Sequence, residues 1–213
     1  MQPCSPGSRL PGTETLPYSW YVDGEVLARE REHLFARAWQ YAGHTGQLAE
    51  PGSYFTLRAG DVPLVVVRDR EGELRAFVNV CRHRGAEVVS GEGSCTTLQC
   101  HYHAWTYGLD GELRAAPRAD GTLDRSQLGL RPALVDTWGP FLFVNADAGA
   151  PPLADTLGEL PELVRSAGVD VDSLEFHSRA PYTLEANWKV AVENYLECYH
   201  CAVAHPSFSE VVD

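Results

Sequence analysis

The sequence predicts an α+β protein in which an antiparallel β domain lies between an N-terminal helix and a C-terminal helical segment. Four segments of five to eight residues read as β-strands, and turns containing Gly or Pro separate them. Helical spacing of apolar residues occurs only before and after this region. With 213 residues and 44% hydrophobic content, the chain can form one large or two small domains with a buried core.

The N-terminal part divides into an arm and a helix. Residues 1–17 are rich in Pro, Gly, Ser and Thr and lack periodicity, so we interpret them as a flexible arm. Helical spacing begins at Asp23, a good N-cap residue, and continues to Trp39 with the apolar side chains mostly on one face. We expect this helix to pack on the body of the protein.

Strand patterns follow the helix. They are predicted at residues 40–44, 53–59, 62–69 and 73–79, and a closing strand is predicted at 141–145. The run Leu64-Val65-Val66-Val67 is continuous rather than alternating, which predicts a central strand covered on both faces. Asp110-Gly111 predicts a further hairpin over residues 108–113. Residues 115–132 contain prolines and many polar side chains and are interpreted as a surface excursion.

The C-terminal part begins after a small-residue and proline boundary at 148–152. Residues 153–167 have helical spacing, residues 174–185 read as extended, and Asn187 is a good cap for a helix that continues to 201. The apolar stripe of that helix is expected to face a core and consists of Trp188, Val192, Tyr195 and Tyr199.

Two short motifs between residues 81 and 103 predict a metal site. Cys81-x-His83 and Cys100-x-x-His103 each offer one thiolate and one imidazole, and residues 84–99 separate them. Zinc sites usually have paired cysteines and paired histidines, so a Cys2His2 zinc site is the less favoured alternative. Mixed loops suit a Rieske [2Fe–2S] centre, in which the cysteines hold one iron and the histidines hold the other.

The surrounding residues resemble one family. Cys-Arg-His-Arg-Gly at 81–85 and Cys-x-Tyr-His-x-Trp-x-Tyr at 100–107 are similar to the cluster loops of Rieske non-heme iron oxygenases, the aromatic ring-hydroxylating dioxygenase α subunits. The resemblance implies that four residues bind the cluster, namely Cys81, His83, Cys100 and His103. Respiratory Rieske proteins have two further cysteines, at positions occupied here by Ala86 and Tyr102. Ala104 departs from the family, which usually has Gly at that position.

A second candidate site lies at His200-x4-His205-Pro206. In a continuous α-helix, five residues turn through about 500°, which would point the two rings about 140° apart. The helix must therefore bulge or stop, and Pro206 disfavours helical conformation at His205. With one carboxylate, the two imidazoles would form the 2-His-1-carboxylate triad that suits Fe(II). A solvated helix face is the alternative.

Residues 187–206 resemble the mononuclear iron segment of the same oxygenase family. The resemblance implies that His200 and His205 bind iron and that Glu197 takes the bridging acidic position, which is more often Asp. There Glu197 would link the iron's histidine to a Rieske histidine of a neighbouring subunit in a head-to-tail homotrimer. The family's acidic third ligand lies further downstream, and Asp213 matches no motif position. We therefore expect an N-terminal portion that keeps its cluster but is inactive alone.

The resemblance also implies domains and a function. Residues 1–39 would be the arm and helix, 40–150 the Rieske domain, and 151–213 the beginning of a helix-grip (START/SRPBCC-like) catalytic domain. An NAD(P)H-dependent reductase or a ferredoxin would supply electrons through the [2Fe–2S] cluster to mononuclear Fe(II). O2-dependent hydroxylation or demethylation of a small organic substrate would follow. A Rieske ferredoxin-like electron carrier and a zinc-stabilised interaction domain are the alternatives.

Composition limits partners and location. Asp and Glu total 29 against 17 Lys and Arg, and the net charge of −12 disfavours nucleic acid and anionic membranes as partners. No apolar run approaches the roughly 20 residues needed to span a bilayer, and no export signal is visible, so a cytoplasmic location is expected.

The four cysteines outside the cluster motifs are expected to be free thiols. Residues 197–201 and 204–206 look more like relatives that act on quaternary ammonium compounds than like naphthalene-type dioxygenases, and aromatic acids are the alternative substrates.

Overall fold

The computed structural model describes residues 15–119, 123–197 and 199–211. Contacts divide the chain into two compact units, one formed by Glu30–Ser178 and one that combines Met1–Arg29 with Arg179–Asp213. Along the described chain the strands are β1 (Gln40–His44), β2 (Ser53–Ala59), β3 (Val62–Arg68), β4 (Leu74–Val78), β5 (Glu92–Ser94), β6 (Leu98–Gln99), β7 (Thr106–Tyr107), β8 (Leu113–Ala115), β9 (Pro132–Trp138) and β10 (Phe141–Asn145). The α-helices are α1 (Gly24–Glu30), α2 (Leu153–Leu157), α3 (Leu160–Ser166), α4 (Trp188–Tyr195), α5 (Cys201–Ala204) and α6 (Pro206–Ser209).

The unit Glu30–Ser178 is built on a seven-stranded antiparallel sheet in the order β1-β10-β9-β4-β3-β2-β5. β3 lies inside this sheet, and successive side chains point to opposite faces. Val65 and Val67 pack in one core cluster, whereas Leu64 and Val66 pack in the other, and all four are fully buried. The prediction of a central strand covered on both faces is confirmed, and the α+β class is also confirmed.

A smaller sheet in the order β6-β7-β8 covers one face of the large sheet through a shared core. Leu98, Tyr107 and Leu113 of the small sheet and Phe77 of β4 belong to this core cluster, together with both cysteines of the predicted metal site. The predicted hairpin is present, because the chain turns between β7 and β8 with Gly111 at φ +84°. The cluster loops therefore leave strands that are anchored in one hydrophobic core.

Several predicted boundaries differ from the structure. The α-helical part of the N-terminal helix ends at Glu30. A π-helical turn, Arg31–Phe35, follows it, so the helix does not reach Trp39. The predicted helix over 153–167 is two helices, because Gly158 at φ +53° ends α2. β9 was not predicted: its first residue, Pro132, looked like the end of a loop, and only Ala133 of the strand is buried. Residues 174–184 form neither helix nor strand.

In the second unit, Tyr21 lies along helix α4. The Tyr21 hydroxyl donates to Glu193 Oε1 at 2.5 Å, and the Asn187 amide donates to the Tyr21 carbonyl at 3.0 Å. The ammonium of the buried Lys189 lies 5.6 Å from the centre of the Tyr21 ring. None of the helices in the described ranges is long and apolar enough to cross a membrane.

Candidate iron centres

The first cluster loop, residues 81–86, follows β4 and is closed by two backbone hydrogen bonds. The Cys81 N–H donates to the Ala86 carbonyl at 2.8 Å, and the Gly85 N–H donates to the Cys81 carbonyl at 3.0 Å. Gly85 has φ +76°, a left-handed conformation that glycine adopts without steric cost. The loop therefore forms a tight turn that brings Gly85 into hydrogen-bond contact with Cys81.

The second cluster loop, residues 100–105, repeats this geometry between β6 and β7. The Cys100 N–H donates to the Trp105 carbonyl at 2.8 Å, and the Ala104 N–H donates to the Cys100 carbonyl at 3.0 Å. Ala104 has φ +55°, so the residue that replaces the usual glycine still adopts the left-handed conformation. The replacement therefore preserves the loop shape and adds backbone strain.

The side chains of the two loops separate by type. Cys81 and Cys100 are 3% and 2% exposed, whereas His83 and His103 are exposed with ring centres 4.8 Å apart. Trp105 stacks on His83 at a centroid distance of 4.8 Å and an interplanar angle of 7°. Two thiols therefore point inward and two neighbouring imidazoles point outward, which is the donor arrangement that a Rieske cluster requires.

One electrostatic feature supports this assignment of donors. Partial loss of water around the ring, followed by the charges of His103 and Arg84, lowers the pKa of His83 and favours the neutral imidazole that binds metal. Across residues 15–119, 123–197 and 199–211, no three His, Cys, Asp or Glu side chains are already gathered around one point. The residues fit the cluster by donor type and orientation.

Tyr107 connects the two loops and was not assigned a role from the sequence. Its hydroxyl lies 3.3 Å from Cys81 Sγ and accepts the Arg82 N–H at 3.0 Å, and its side chain is fully buried. Burial and the contact with Cys81 raise the pKa of Tyr107, so the hydroxyl keeps its proton and can donate to the sulfur. The only sequence signal for this role is the Tyr at the end of the second motif.

The second predicted site begins after helix α4. The Asn187 side chain caps this helix by accepting the Lys189 N–H at 3.1 Å, as predicted, but the helix ends at Tyr195 rather than at residue 201. Tyr195 and Tyr199 are 88% and 95% exposed, so the predicted core-facing stripe is not buried in this structure. Beyond the helix, residues 199 and 200 form a turn.

Glu197 lies just before this turn and holds His200. Glu197 Oε1 is 2.5 Å from His200 Nδ1, and Oε2 accepts the backbone N–H groups of Tyr199 and His200. The hydrogen bond with His200 is the main reason why the pKa of Glu197 is lowered. The imidazole is oriented by a carboxylate at Nδ1, which leaves Nε2 available for a metal.

The two histidines converge because the helix stops between them. α5 ends at Ala204, His205 has φ −133°, and α6 begins at Pro206, as the proline predicted. The ring centres of His200 and His205 are 5.4 Å apart, close to the roughly 5 Å of two imidazoles that share one ion at about 2.1 Å. An open cavity of about 720 Å³ adjoins them and is lined by Asn194, Tyr195, Glu197, His200, Cys201, Ala204, His205, Pro206, Ser207 and Phe208.

Cysteine pairing differs in part from expectation. Cys201, which is 9% exposed and follows His200 directly, is disulfide-bonded, so the prediction of a free thiol is wrong at this position. Cys95 carries a free thiol, as do Cys81 and Cys100. Cys4 and Cys198, for which free thiols are also predicted, lie outside the described residues.

Comparison with known proteins assigns both regions. Residues 38–133 match the family model "Rieske [2Fe-2S] domain", and residues 171–213 match "Ring hydroxylating alpha subunit (catalytic domain)". The carnitine monooxygenase oxygenase subunit of Acinetobacter pittii (strain PHEA-2) is 38% identical over 201 residues, which cover 93% of this chain and 54% of the relative. The chloroplastic choline monooxygenase of Beta vulgaris is 39% identical over 206 residues, which cover 93% of this chain and 46% of the relative.

A solved structure gives the same result. The crystal structure of the quaternary ammonium Rieske monooxygenase CntA in complex with L-carnitine superposes with a TM-score of 0.85 and 38% identity, covering 93% of this chain and 57% of that chain. The fold is that of Rieske oxygenase α subunits. The chain belongs to the family of Rieske non-heme iron oxygenase α subunits, whose members are oxidoreductases that use a [2Fe–2S] cluster and mononuclear Fe(II). The chain spans about half the length of the curated relatives it matches.

Proposed function

We propose that this chain supplies the cluster domain and two iron ligands of an oxygenase that hydroxylates or demethylates a small organic substrate. The observation that carries the proposal is the presence of two separate donor sets, the paired cluster loops and the His200–His205 pair held by Glu197. When bound, the cluster and Fe(II) supply electron transfer and oxygen activation. A ferredoxin-like carrier would need only the first donor set.

The proposed cluster ligands divide according to burial. Cys81 and Cys100 would hold one iron within the hydrophobic core, and His83 and His103 would hold the other at the surface. Burial of the thiols keeps water away from the sulfurs, and exposure of the imidazoles gives a redox partner a short path to the cluster. We propose an NAD(P)H-dependent reductase or a ferredoxin as that electron donor and the cytoplasm as the location.

Glu197 is proposed to act beside the iron rather than on it. One carboxylate oxygen is occupied by His200 Nδ1 and the other by two backbone N–H groups, so the carboxylate is committed to positioning. In a head-to-tail homotrimer, Glu197 would also approach a cluster histidine of a neighbouring copy. The carboxylate would then join the two imidazoles through hydrogen bonds and fix their orientation and protonation.

We propose a quaternary ammonium compound as the substrate. Two relatives are named for carnitine and choline, and the solved neighbour is described as a quaternary ammonium monooxygenase. In this chain, Tyr195, Phe208 and Glu197 line the cavity at the histidine pair. Aromatic faces and a carboxylate attract a permanent cation that cannot donate a hydrogen bond.

The role of Glu197 is tested by Glu197→Ala in the oxygenase that contains these residues. We expect iron and sulfide contents to stay near wild type, while single-turnover oxidation of the reduced cluster slows by roughly 10- to 100-fold. Glu193→Ala is the matched control, because Glu193 is the carboxylate one turn earlier and bonds to Tyr21 instead. Loss of the mononuclear iron in Glu197→Ala alone would make Glu197 a ligand and overturn its proposed role.

The substrate class is tested by oxygen uptake with an added reductase. Carnitine, choline and a betaine are compared with naphthalene and benzoate at equal concentration, and the expected result is uptake coupled to product with the ammonium compounds only. Coupled turnover of the aromatic compounds alone would overturn the substrate proposal. Reduction of the cluster without coupled turnover of any compound, in protein with both metal sites loaded, would favour the electron carrier.

A further inference from the structure

The two cluster loops have the same shape but are closed differently at their bases. At the second loop, β6 and β7 pair directly below the ligands, with Leu98 opposite Tyr107 and Gln99 opposite Thr106. Two backbone rungs therefore support the turn that starts at Cys100. Because these pairs are joined by main-chain hydrogen bonds, they do not depend on the identity of the side chains.

The first loop has one such rung, an isolated bridge between Val80 and Glu87. The next pair of residues away from the loop is not joined by backbone pairing. The side chain of Asn79 makes the hydrogen bonds there instead. Asn79 Oδ1 accepts the N–H groups of Val88 and Val89 at 3.1 and 3.2 Å, and Nδ2 donates to the Val89 carbonyl at 2.8 Å. One amide thus satisfies three backbone groups of the segment that returns after the loop.

The environment of Asn79 makes these bonds difficult to replace. Asn79 is 1% exposed, and Val88 is also 1% exposed and belongs to the core cluster that contains both cysteines. The Asn79 N–H is itself fixed by the Pro63 carbonyl at 2.8 Å. A shorter or apolar side chain would leave buried N–H and C=O groups without partners, and water has little access to this position.

We propose that Asn79 is a positioning residue for the iron–sulfur cluster, because its side chain closes the first loop where backbone pairing closes the second. It acts through the loop: when residues 88 and 89 are held against residue 79, the turn from Cys81 to Ala86 is fixed, and with it the direction of His83. The inference rests on the proposed ligand set. It adds a requirement that the ligand motif itself does not contain.

The test uses Asn79→Ser in the cluster-loaded chain, with Asn145→Ser as the matched control. Asn145 is also fully buried, donates to the Arg37 carbonyl at 2.8 Å and accepts the Asp147 N–H at 2.9 Å, but it lies in β10, outside the core cluster that contains the cysteines. We expect Asn79→Ser to lose iron to a chelator about 10- to 100-fold faster than wild type and to broaden the EPR signal of the reduced cluster. Asn145→Ser should lower thermal stability without changing either cluster measurement.

Two outcomes would overturn the inference. One is equal behaviour of the two serine variants in chelation and EPR, which would make Asn79 an ordinary core residue. The other is wild-type chelation and EPR in Asn79→Ser while Cys81→Ser, prepared in parallel, loses its cluster. Retention of the cluster by Cys81→Ser would overturn the ligand set instead. If Asn79→Ser is insoluble, Asn79→Asp with Asn145→Asp as its control carries the same comparison, because Asn79→Asp keeps the acceptor for both N–H groups and places a carboxyl oxygen, instead of the amide donor, against the Val89 carbonyl.

Discussion

The first and second cluster loops have the same turn geometry, yet different parts of the chain support them. Each loop has one cysteine N–H bonded to the carbonyl five residues later and one left-handed fifth residue. The second loop is supported by backbone pairing between β6 and β7. The first loop is supported by side-chain contacts, because Asn79 bonds to the segment after the loop and the Tyr107 hydroxyl contacts Cys81. Main-chain support is spread over many atoms, and side-chain support concentrates on a few residues. The first loop should therefore be the more sensitive to single substitutions outside the ligands.

Substitution of the proposed cysteine ligands should have the largest effect on the cluster signals. The loss should be the same for the first and the second loop. Cys81→Ser and Cys100→Ser would each remove one proposed thiolate ligand of the cluster, so the visible absorption and the EPR signal of the reduced cluster should disappear in both. Cys95→Ser is the control, because Cys95 is a free thiol outside both loops. An unchanged spectrum in either variant would exclude that cysteine as a ligand.

Tyr107→Phe should produce a smaller effect that falls on the first loop. The substitution keeps the buried ring and removes the hydroxyl that contacts Cys81 Sγ and accepts the Arg82 N–H. A hydrogen bond to a cluster sulfur favours the reduced state, so its loss should lower the reduction potential. For a bond of about 1 kcal/mol, the shift is on the order of 50 mV in a one-electron couple.

The control for Tyr107 comes from the second loop. Tyr102 is 59% exposed and contacts His103 through its ring, at a centroid distance of 3.9 Å, and Tyr102→Phe keeps that ring. Protein-film voltammetry should record a lower potential for Tyr107→Phe and the wild-type value for Tyr102→Phe. Equal potentials in the two variants would show that the Tyr107 hydroxyl does not act on the cluster.

Regular elements and donor types were predictable from the sequence because short-range rules determine them. The strands β1, β2 and β10 have the predicted bounds, and the turn chemistry of Pro206 correctly predicted the end of a helix between His200 and His205. The matches to the two family models confirm the family predicted from the two motifs. The ligand residues themselves stay predictions, supported by their burial and by the distances within each histidine pair.

Long-range side-chain contacts were not predictable in the same way. Asn79 reads as the polar end of a strand, and nothing in its neighbourhood indicates that its amide bonds to residues nine and ten positions later. β9 was missed because its register is set by β10 and β4, with Val144 opposite Val135 and Phe77 opposite Pro132, rather than by alternation of its own residues. Helix α4 ends early because the Glu197 carboxylate binds the N–H groups of Tyr199 and His200, which competes with continuation of the helix.

The smallest predicted effect uses the residue at the left-handed position of each turn. Gly85 and Ala104 occupy equivalent left-handed positions, with φ +76° and +55°. A Cβ atom added at Gly85 would meet nothing within 4 Å, so Gly85→Ala introduces backbone strain without a steric clash. Ala104→Gly removes the same strain. We expect Gly85→Ala to destabilise the fold by about 1 kcal/mol and Ala104→Gly to stabilise it by a similar amount.

Thermal unfolding of the cluster-loaded protein measures both changes, which should shift the melting temperature down and up by about 2–4 °C for a chain of this size. The double variant, which exchanges glycine and alanine between the loops, should melt near the wild-type temperature, because the two turns do not share backbone hydrogen bonds. A loss for Gly85→Ala several times larger than the gain for Ala104→Gly would contradict this symmetry. It would indicate that strain at the fifth residue spreads further through the first loop, where side chains provide the support, than through the second, where the β6–β7 ladder resists it.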